Sequence, residues 1–267
     1  LCEIRGQVDA QVRTELYTVT KNNGTRRTGI LFKQEDSNLA PTIYLEEFYQ
    51  KYLKGQQVPD LADSICSIYQ EIRVKKTCDC QNLFDFNHVK EHIVYKLIRR
   101  DANEELLKQI PYEPFLDLAV VYYIQIDNTR FGSAAIQIRN EHLRYWRVEK
   151  EEIRCLAEKN TPRIYPVQIR QIVRFMYVAT NEQCSLGAAV MRYPDFREKV
   201  RGMIRGDFYI LPSSIHEVIL VPESFGLEPE RMQEMVKEIN QTGVALEEVL
   251  SDSVYYFDGE EIRIVAK

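Results

Sequence analysis

The sequence predicts an α+β fold: antiparallel sheets built from repeated strand-turn-strand-helix units, with helices packed on the faces. The first observation behind it is the stretch Asp207 to Pro222, where two apolar runs, Phe208 to Leu211 and Val218 to Val221, flank a single polar cluster. Both runs are too short for helices, rich in β-branched and aromatic residues, and punctuated by Pro212 and Pro222. Neither alternates, which predicts that both faces are covered and that this hairpin is central in its sheet. The second observation is the turn chemistry of Asn23-Gly24 and Asp258-Gly259, pairs that tolerate the positive φ of tight turns. The third is that segments of helical period follow one hairpin after another.

Taken in order, Ile4 to Leu16 reads as a short helix, and Tyr17 to Thr20 and Thr28 to Lys33 make a hairpin around Lys21-Asn22-Asn23-Gly24. Pro41 keeps Ala40 extended, and Tyr44, Leu45, Phe48, Tyr49, Tyr52 and Leu53 then fall on one helical stripe. Such a stripe can line a ligand pocket, but core packing is its commoner use. Gly55 separates it from a helix over Pro59 to Ile72, with Leu61, Ile65, Ile68 and Ile72 inward. Beyond a polar connector, Lys75 to Phe86, the period of Val89, Ile93, Lys96, Leu97 and Arg100 predicts a helix over Asn87 to Arg100, and a short one covers Glu104 to Ile110. Leu116 to Ile126 is the longest strand candidate and turns into Ala134 to Ile138, after which Asn140 caps a helix.

A further amphipathic helix, Glu149 to Lys159, is expected to stop before Asn160-Thr161-Pro162. Met176 to Thr180 and Ala188 to Tyr193 read as the next hairpin, with Asp195 capping a helix over Phe196 to Ile204. After the central hairpin, Pro229 opens a helix to Ile239, and Val254 to Phe257 and Ile262 to Val265 close the chain. One strand-turn-strand-helix unit thus occurs four times. The middle copies share Ala134-Ala135-Ile136 and Ala188-Ala189-Val190, offset by 54 residues. If the chain divides, the boundary lies near Ile110 to Glu113, between an N-terminal hairpin-and-helix region (1–110) and the repeated region (111–267).

At 267 residues and 45% hydrophobic, the chain can bury a sizeable core. A formal net charge of −5 argues against wholesale phosphate binding. Charge is nevertheless uneven: residues 139–205 carry 14 Lys/Arg against 8 Asp/Glu, and residues 206–267 carry 4 against 13. Six irregularly spaced cysteines do not resemble a disulfide framework. No run approaches a membrane span and no apolar signal region begins at Leu1, so a soluble cytoplasmic protein without a membrane partner is expected.

Three constellations are weighed for chemistry. Ser213, Ser214, His216 and Glu217 form a polar turn, in which an imidazole can take a hydroxyl proton while a carboxylate fixes its tautomer. The catalytic candidates are therefore Ser214, His216 and Glu217, with Asp117 and Asp207 as further carboxylates; the competing reading is that these groups satisfy turn backbone. Cys78 and Cys80, followed by His88 and His92, offer four zinc-type ligands, although Cys-x-Cys is tighter than ordinary zinc spacing, and no cofactor is expected. Arg139, Arg144, Arg147, Arg163, Arg170 and Arg174 gather around Tyr145, Trp146 and Tyr165. Arginine with interleaved aromatics can bind single-stranded nucleic acid, but no accompanying motif supports it, and a solvated face is expected.

Lys21-Asn22-Asn23-Gly24, Asn38-Leu39-Ala40-Pro41-Thr42-Ile43-Tyr44-Leu45, Phe115-Leu116-Asp117-Leu118-Ala119, Asn160-Thr161-Pro162-Arg163 and, most specifically, Leu211-Pro212-Ser213-Ser214-Ile215-His216-Glu217-Val218 together resemble a bacterial family of anaerobic gut Clostridia, the domain of unknown function DUF5688. The resemblance spans about Val19 to Asp258 and implies a cytoplasmic protein of unassigned activity, with no family catalytic residues to carry over. The segment between Pro166 and Met176 is shorter than the family pattern. Within these stretches Asn38, Pro41, Tyr44 and Arg163 are candidate binding residues. The reading as a whole favours a non-enzymatic binding or regulatory module with a protein partner, over a hydrolase-like enzyme at the Ser213 to Glu217 turn or a zinc-stabilised domain.

Overall fold

The computed structural model describes residues 1–34, 40–72, 85–129, 132–204 and 206–267. The chain forms two compact units, Leu1–Asp85 and Phe86–Lys267. The strand Ile93–Arg99, which precedes residue 110, pairs with Leu118–Thr129, which follows it.

The first unit opens with a single helical turn, α1 (Cys2–Arg5), and the strands β1 (Val12–Thr20) and β2 (Arg26–Gln34) pair antiparallel from Val12 opposite Gln34 to Thr20 opposite Arg26. The turn between them places Asn23 at φ 56° and Gly24 at φ 69°, as the Asn-Gly pair requires. The expected helix over Ile4 to Leu16 is corrected: its second half is strand. Val12 and Thr14 are buried while Arg13 and Glu15 are exposed, a period of two that the pairing enforces. β3 (Thr42–Tyr44) adds to β2, giving the order β1-β2-β3.

Two helices, α2 (Glu46–Leu53) and α3 (Val58–Ile72), follow in this unit. Its core joins Ile4, Val12, Ile30, Phe32, Ile43 and Phe48 to Leu61, Ile65 and Tyr69 of α3, with the Phe32 and Tyr69 rings stacked 4.2 Å apart. The aromatic stripe does not enter this core as a whole. Phe48 is the buried residue of α2, whereas Tyr49, Tyr52 and Leu53 are exposed, because α3 supplies most of the apolar surface that two short turns would otherwise provide. Ile68, expected inward, is also exposed.

In the second unit, α4 (Phe86–Val89) and a 3-10 turn (Lys90–His92) lead into β4 (Ile93–Arg99). The helix expected over Asn87 to Arg100 is therefore corrected to one helical turn and a strand. Ile93, Val94, Tyr95, Leu97 and Ile98 are all buried, so side chains of both parities are covered and the half-buried Lys96 alone interrupts the apolar run, which fits a helical period only by coincidence. After α5 (Glu104–Leu107), β5 (Tyr112–Phe115), β6 (Leu118–Thr129) and β7 (Gly132–Gln137) complete a sheet in which β6 pairs with β4, β5 and β7. Between β5 and β6, Leu116 sits at φ 56°, a conformation disfavoured for a γ-branched residue.

The short helix α6 (Asn140–Trp146) follows, with Asn140 as its first helical residue rather than its cap. Helix α7 (Lys150–Ile164) packs across β4 and runs through Asn160-Thr161-Pro162 instead of stopping before them. Side chains of that segment hold the helix in place where Pro162 gives up a backbone bond: Asn160 Nδ2 donates to the carbonyls of Lys90 (2.8 Å) and Ile93 (3.0 Å), and Thr161 Oγ1 accepts the Tyr95 N–H at 3.0 Å.

The larger sheet contains β8 (Val167–Val173), β9 (Met176–Asn181), β10 (Phe208–Leu211), β11 (Val218–Pro222), β12 (Val254–Phe257) and β13 (Ile262–Ala266), in the order β13-β12-β10-β11-β9-β8. The hairpin β10–β11 occupies the middle, as its unbroken apolar runs predict. The preceding hairpin is β8–β9; Ala188 to Tyr193, expected as its second strand, lies largely in a 3-10 turn (Gly187–Arg192) buried against β9. The likeness between Ala134-Ala135-Ile136 and Ala188-Ala189-Val190 is thus one of sequence, not of structure.

Helix α9 (Pro229–Thr242) covers β10, β12 and β13, packing Met232 and Val236 against Leu211, Val221 and Val254. Helix α8 (Phe196–Met203) sets Arg197 and Arg201 over the Phe257 ring, which itself lies 5.0 Å from Phe208. The described fold is α+β with antiparallel sheets.

Candidate functional site

The Pro212–Glu217 corner is stitched to two other segments. Leu250 N–H donates to the Ser213 carbonyl (3.0 Å), Ile215 N–H to the Glu248 carbonyl (2.9 Å) and Ser251 N–H to the Pro212 carbonyl (3.0 Å). On its other side, Ala188 N–H reaches the Ile215 carbonyl at 3.2 Å and Thr180 Oγ1 the His216 carbonyl at 2.8 Å. Gly187 permits that approach, since a Cβ there would lie 2.1 Å from Thr180 Oγ1 and 2.5 Å from the His216 carbonyl oxygen.

His216 is engaged through both ring nitrogens. Nδ1 accepts the Leu186 N–H at 3.2 Å, and Nε2 lies 3.4 Å from Glu248 Oε1. This arrangement fixes the neutral tautomer with its proton on Nε2. Ser214 Oγ accepts the His216 backbone N–H at 3.1 Å, a bond within the turn rather than one to the imidazole. The carboxylate beside the ring is Glu248, not Glu217, Asp117 or Asp207. Asp207 accepts from Tyr256 OH at 3.1 Å. Asp117 accepts three hydroxyls, those of Ser251 (2.7 Å), Ser253 (2.8 Å) and Tyr255. Burial and the neighbouring Asp117 charge raise the Tyr255 hydroxyl well above the usual tyrosine range.

Among the candidate binding residues, Asn38 lies outside the described residues. The Pro41 carbonyl accepts the Phe32 N–H at 3.0 Å, and the half-buried Tyr44 ring holds Lys21 Nζ 4.6 Å and Arg27 5.8 Å from its centre. Arg163 Nη2 donates to the Glu91 carbonyl at 2.8 Å, clamping α7 to the turn before β4. Of the zinc-type set, Cys78 and Cys80 lie outside the described residues; His88 is on α4 and His92 on the 3-10 turn after it, so the two do not share one helical face. The arginine cluster is dispersed over α6, α7 and β8, and Tyr165 is buried with its hydroxyl on Gln125 Oε1 at 2.5 Å.

A different surface stands open. β8 ends the larger sheet, and beside it Ile172 (52% exposed), Val173 (56%), Phe175 (37%) and Phe225 (48%) face solvent. The Phe175 and Phe225 rings lie 5.8 Å apart, bringing the turn after β8 against the 3-10 turn after β11. Phe175 itself takes φ 65° in the two-residue turn, and Arg174 stacks over its ring at 4.8 Å. Arg170 is exposed and forms no ion pair among the described residues. The sequence carried a signal for this strand, Val167, Ile169 and Val173 alternating with Gln168 and Arg170, but nothing in it announced that the apolar positions stay uncovered.

No curated protein and no solved structure matches the chain. The model of the Family of unknown function (DUF5688) matches residues 2–176 and 173–259, two spans that meet at the β8–β9 turn. The chain, with its proline-serine corner bonded into the middle of the larger sheet, belongs to this family.

Proposed function

We propose that the chain is a non-enzymatic binding module that engages a protein partner at the β8–β9 hairpin. The observation that carries this reading is the open edge of β8 together with the uncovered Ile172, Val173, Phe175 and Phe225. Exposed apolar side chains beside an unpaired strand edge are the features by which sheet proteins add partners, and elsewhere folds avoid them. A photoreactive residue at position 172 tests it. Crosslinking to one protein, abolished by Phe175→Ser and Phe225→Ser but unaffected by Leu246→Ser at another exposed apolar position, supports the reading. Crosslinking that survives both phenylalanine variants counts against it.

A second reading, hydrolase-like chemistry at Ser214, His216 and Glu217, draws on the His216–Glu248 pair, which supplies a carboxylate to orient the imidazole. It requires Nδ1 to release the Leu186 N–H before a serine hydroxyl can donate there. Ester turnover that disappears in both Ser214→Ala and His216→Ala would support it; turnover equal in wild type and variants would remove it.

A further inference from the structure

The chemistry of the β8 edge narrows the partner, and the narrowing rests on the binding reading above. Three features coincide there. Among the described residues β8 has a strand neighbour on one side only, so one row of its backbone N–H and C=O groups has no strand partner there. A bulge at Ile172 ends the regular pairing with β9, leaving residues 167–171 as the straight stretch on which a further strand can be laid. Both arginines at this edge, Arg170 and Arg174, are exposed; neither meets a carboxylate among the described residues, and Arg174 has only the Phe175 ring.

Charge favours an acidic strand over a second copy of the chain. Two-fold antiparallel self-pairing centred on Ile169 sets Arg170 opposite Gln168, and pairing centred on Ile172 sets it opposite Arg174; residues 167–175 hold no carboxylate, so a copy paired along this stretch brings neither arginine an opposite charge in any register. An acidic strand does so, and the rings of Phe175 and Phe225 offer its apolar side chains a seat at the hairpin tip.

We infer that β8 accepts an extended, acidic, apolar-alternating segment of a protein partner as an added strand, held by main-chain hydrogen bonds along residues 167–171, by Arg170 and Arg174, and by the Phe175–Phe225 pair.

The test uses the full chain and a fluorescent peptide of four Val-Glu repeats, read by anisotropy. Saturable binding is expected, weakened about tenfold or more by Arg170→Glu with Arg174→Glu, and weakened similarly when the peptide carries Lys in place of Glu. Replacing one central Val of the peptide by Pro, which removes a donor and breaks the strand, is expected to abolish binding. Circular dichroism melts of the double variant, altered only at exposed side chains, are expected to match wild type. Equal binding of the Glu and Lys peptides, binding indifferent to the arginine variants, or a concentration-dependent dimer by sedimentation that excludes the peptide would each overturn the inference. If the peptide fails while crosslinking at position 172 still depends on Phe175 and Phe225, the acidic strand is wrong and the docking site stands. If both fail, the docking site falls as well.

Discussion

The imidazole Nδ1 of His216 accepts the backbone N–H of Leu186 at 3.2 Å, tying the proline-serine corner to a residue 30 positions earlier that is itself held at φ 55°. A left-handed leucine costs backbone energy and persists only where its surroundings hold it. The histidine is one of those surroundings. Replacing it leaves the Leu186 N–H without this acceptor, so His216→Ala is expected to destabilise the fold by about 1–3 kcal/mol. Glu248→Gln touches a partly exposed contact and is expected to cost less than about 1 kcal/mol. Urea midpoints of the two variants check the ranking; a larger loss for Glu248→Gln would reverse the assignment.

Gly187 stands where three segments meet. A methyl group there would press on Thr180 Oγ1, the His216 carbonyl and the Asn181 backbone nitrogen, two of which are main-chain atoms that cannot swing aside. Gly187→Ala is therefore expected to cost about 3 kcal/mol or more. Gly202→Ala, with open space around its Cβ, is expected to stay within about 1 kcal/mol of wild type. Thermal melts of both proteins separate the outcomes.

Asp117 gathers Ser251, Ser253 and Tyr255 and so fastens the β5–β6 turn to the start of β12. Asp117→Asn keeps the shape but removes the charge and one acceptor oxygen, and a loss of about 2–3 kcal/mol is expected. Tyr255→Phe, which removes one of the three donors, is expected to lose less. Chemical denaturation of both variants tests whether the carboxylate is the hub.

Part of this was legible beforehand and part was not, for physical reasons. The β10–β11 hairpin could be read from residues alone because a strand buried on both faces must be apolar throughout, and its length ruled out a helix. β4 is also covered on both faces, with Lys96 as its half-buried exception, yet Val89, Ile93 and Leu97 satisfy a helical period too, and only pairing with β6 decides between them. The catalytic reading of His216 rested on neighbours in sequence, whereas its partners are Leu186 and Glu248, reached through the fold. Tyr49 and Tyr52 show the converse: periodicity gives the stripe, but not whether anything lies opposite it.

Buried tyrosines give the second unit a defined alkaline limit. Burial raises the hydroxyls of Tyr95, Tyr123 and Tyr255 well above their ordinary value near 10. Below that value both folded and unfolded chains keep these protons, and the stability they contribute is fully present. Above it the unfolded chain releases protons that the folded chain retains, so stability falls as pH rises, by about 1.4 kcal/mol per pH unit for each such group. Urea midpoints are expected to be level from pH 8 to pH 9 and to fall steeply beyond about pH 10, with a step in tyrosinate absorbance that coincides with unfolding. Tyrosinate absorbance that reaches the value for all 16 tyrosines while the fold is intact would contradict this.

The measurement that bears most directly on the binding account is amide hydrogen exchange of the full chain with and without the Val-Glu peptide. The account predicts slowed exchange along β8 and in the turn at Arg174 and Phe175, with β13, the opposite edge of the same sheet, unchanged. Protection at β13 equal to that at β8, or no protection at either edge under saturating peptide, would contradict it.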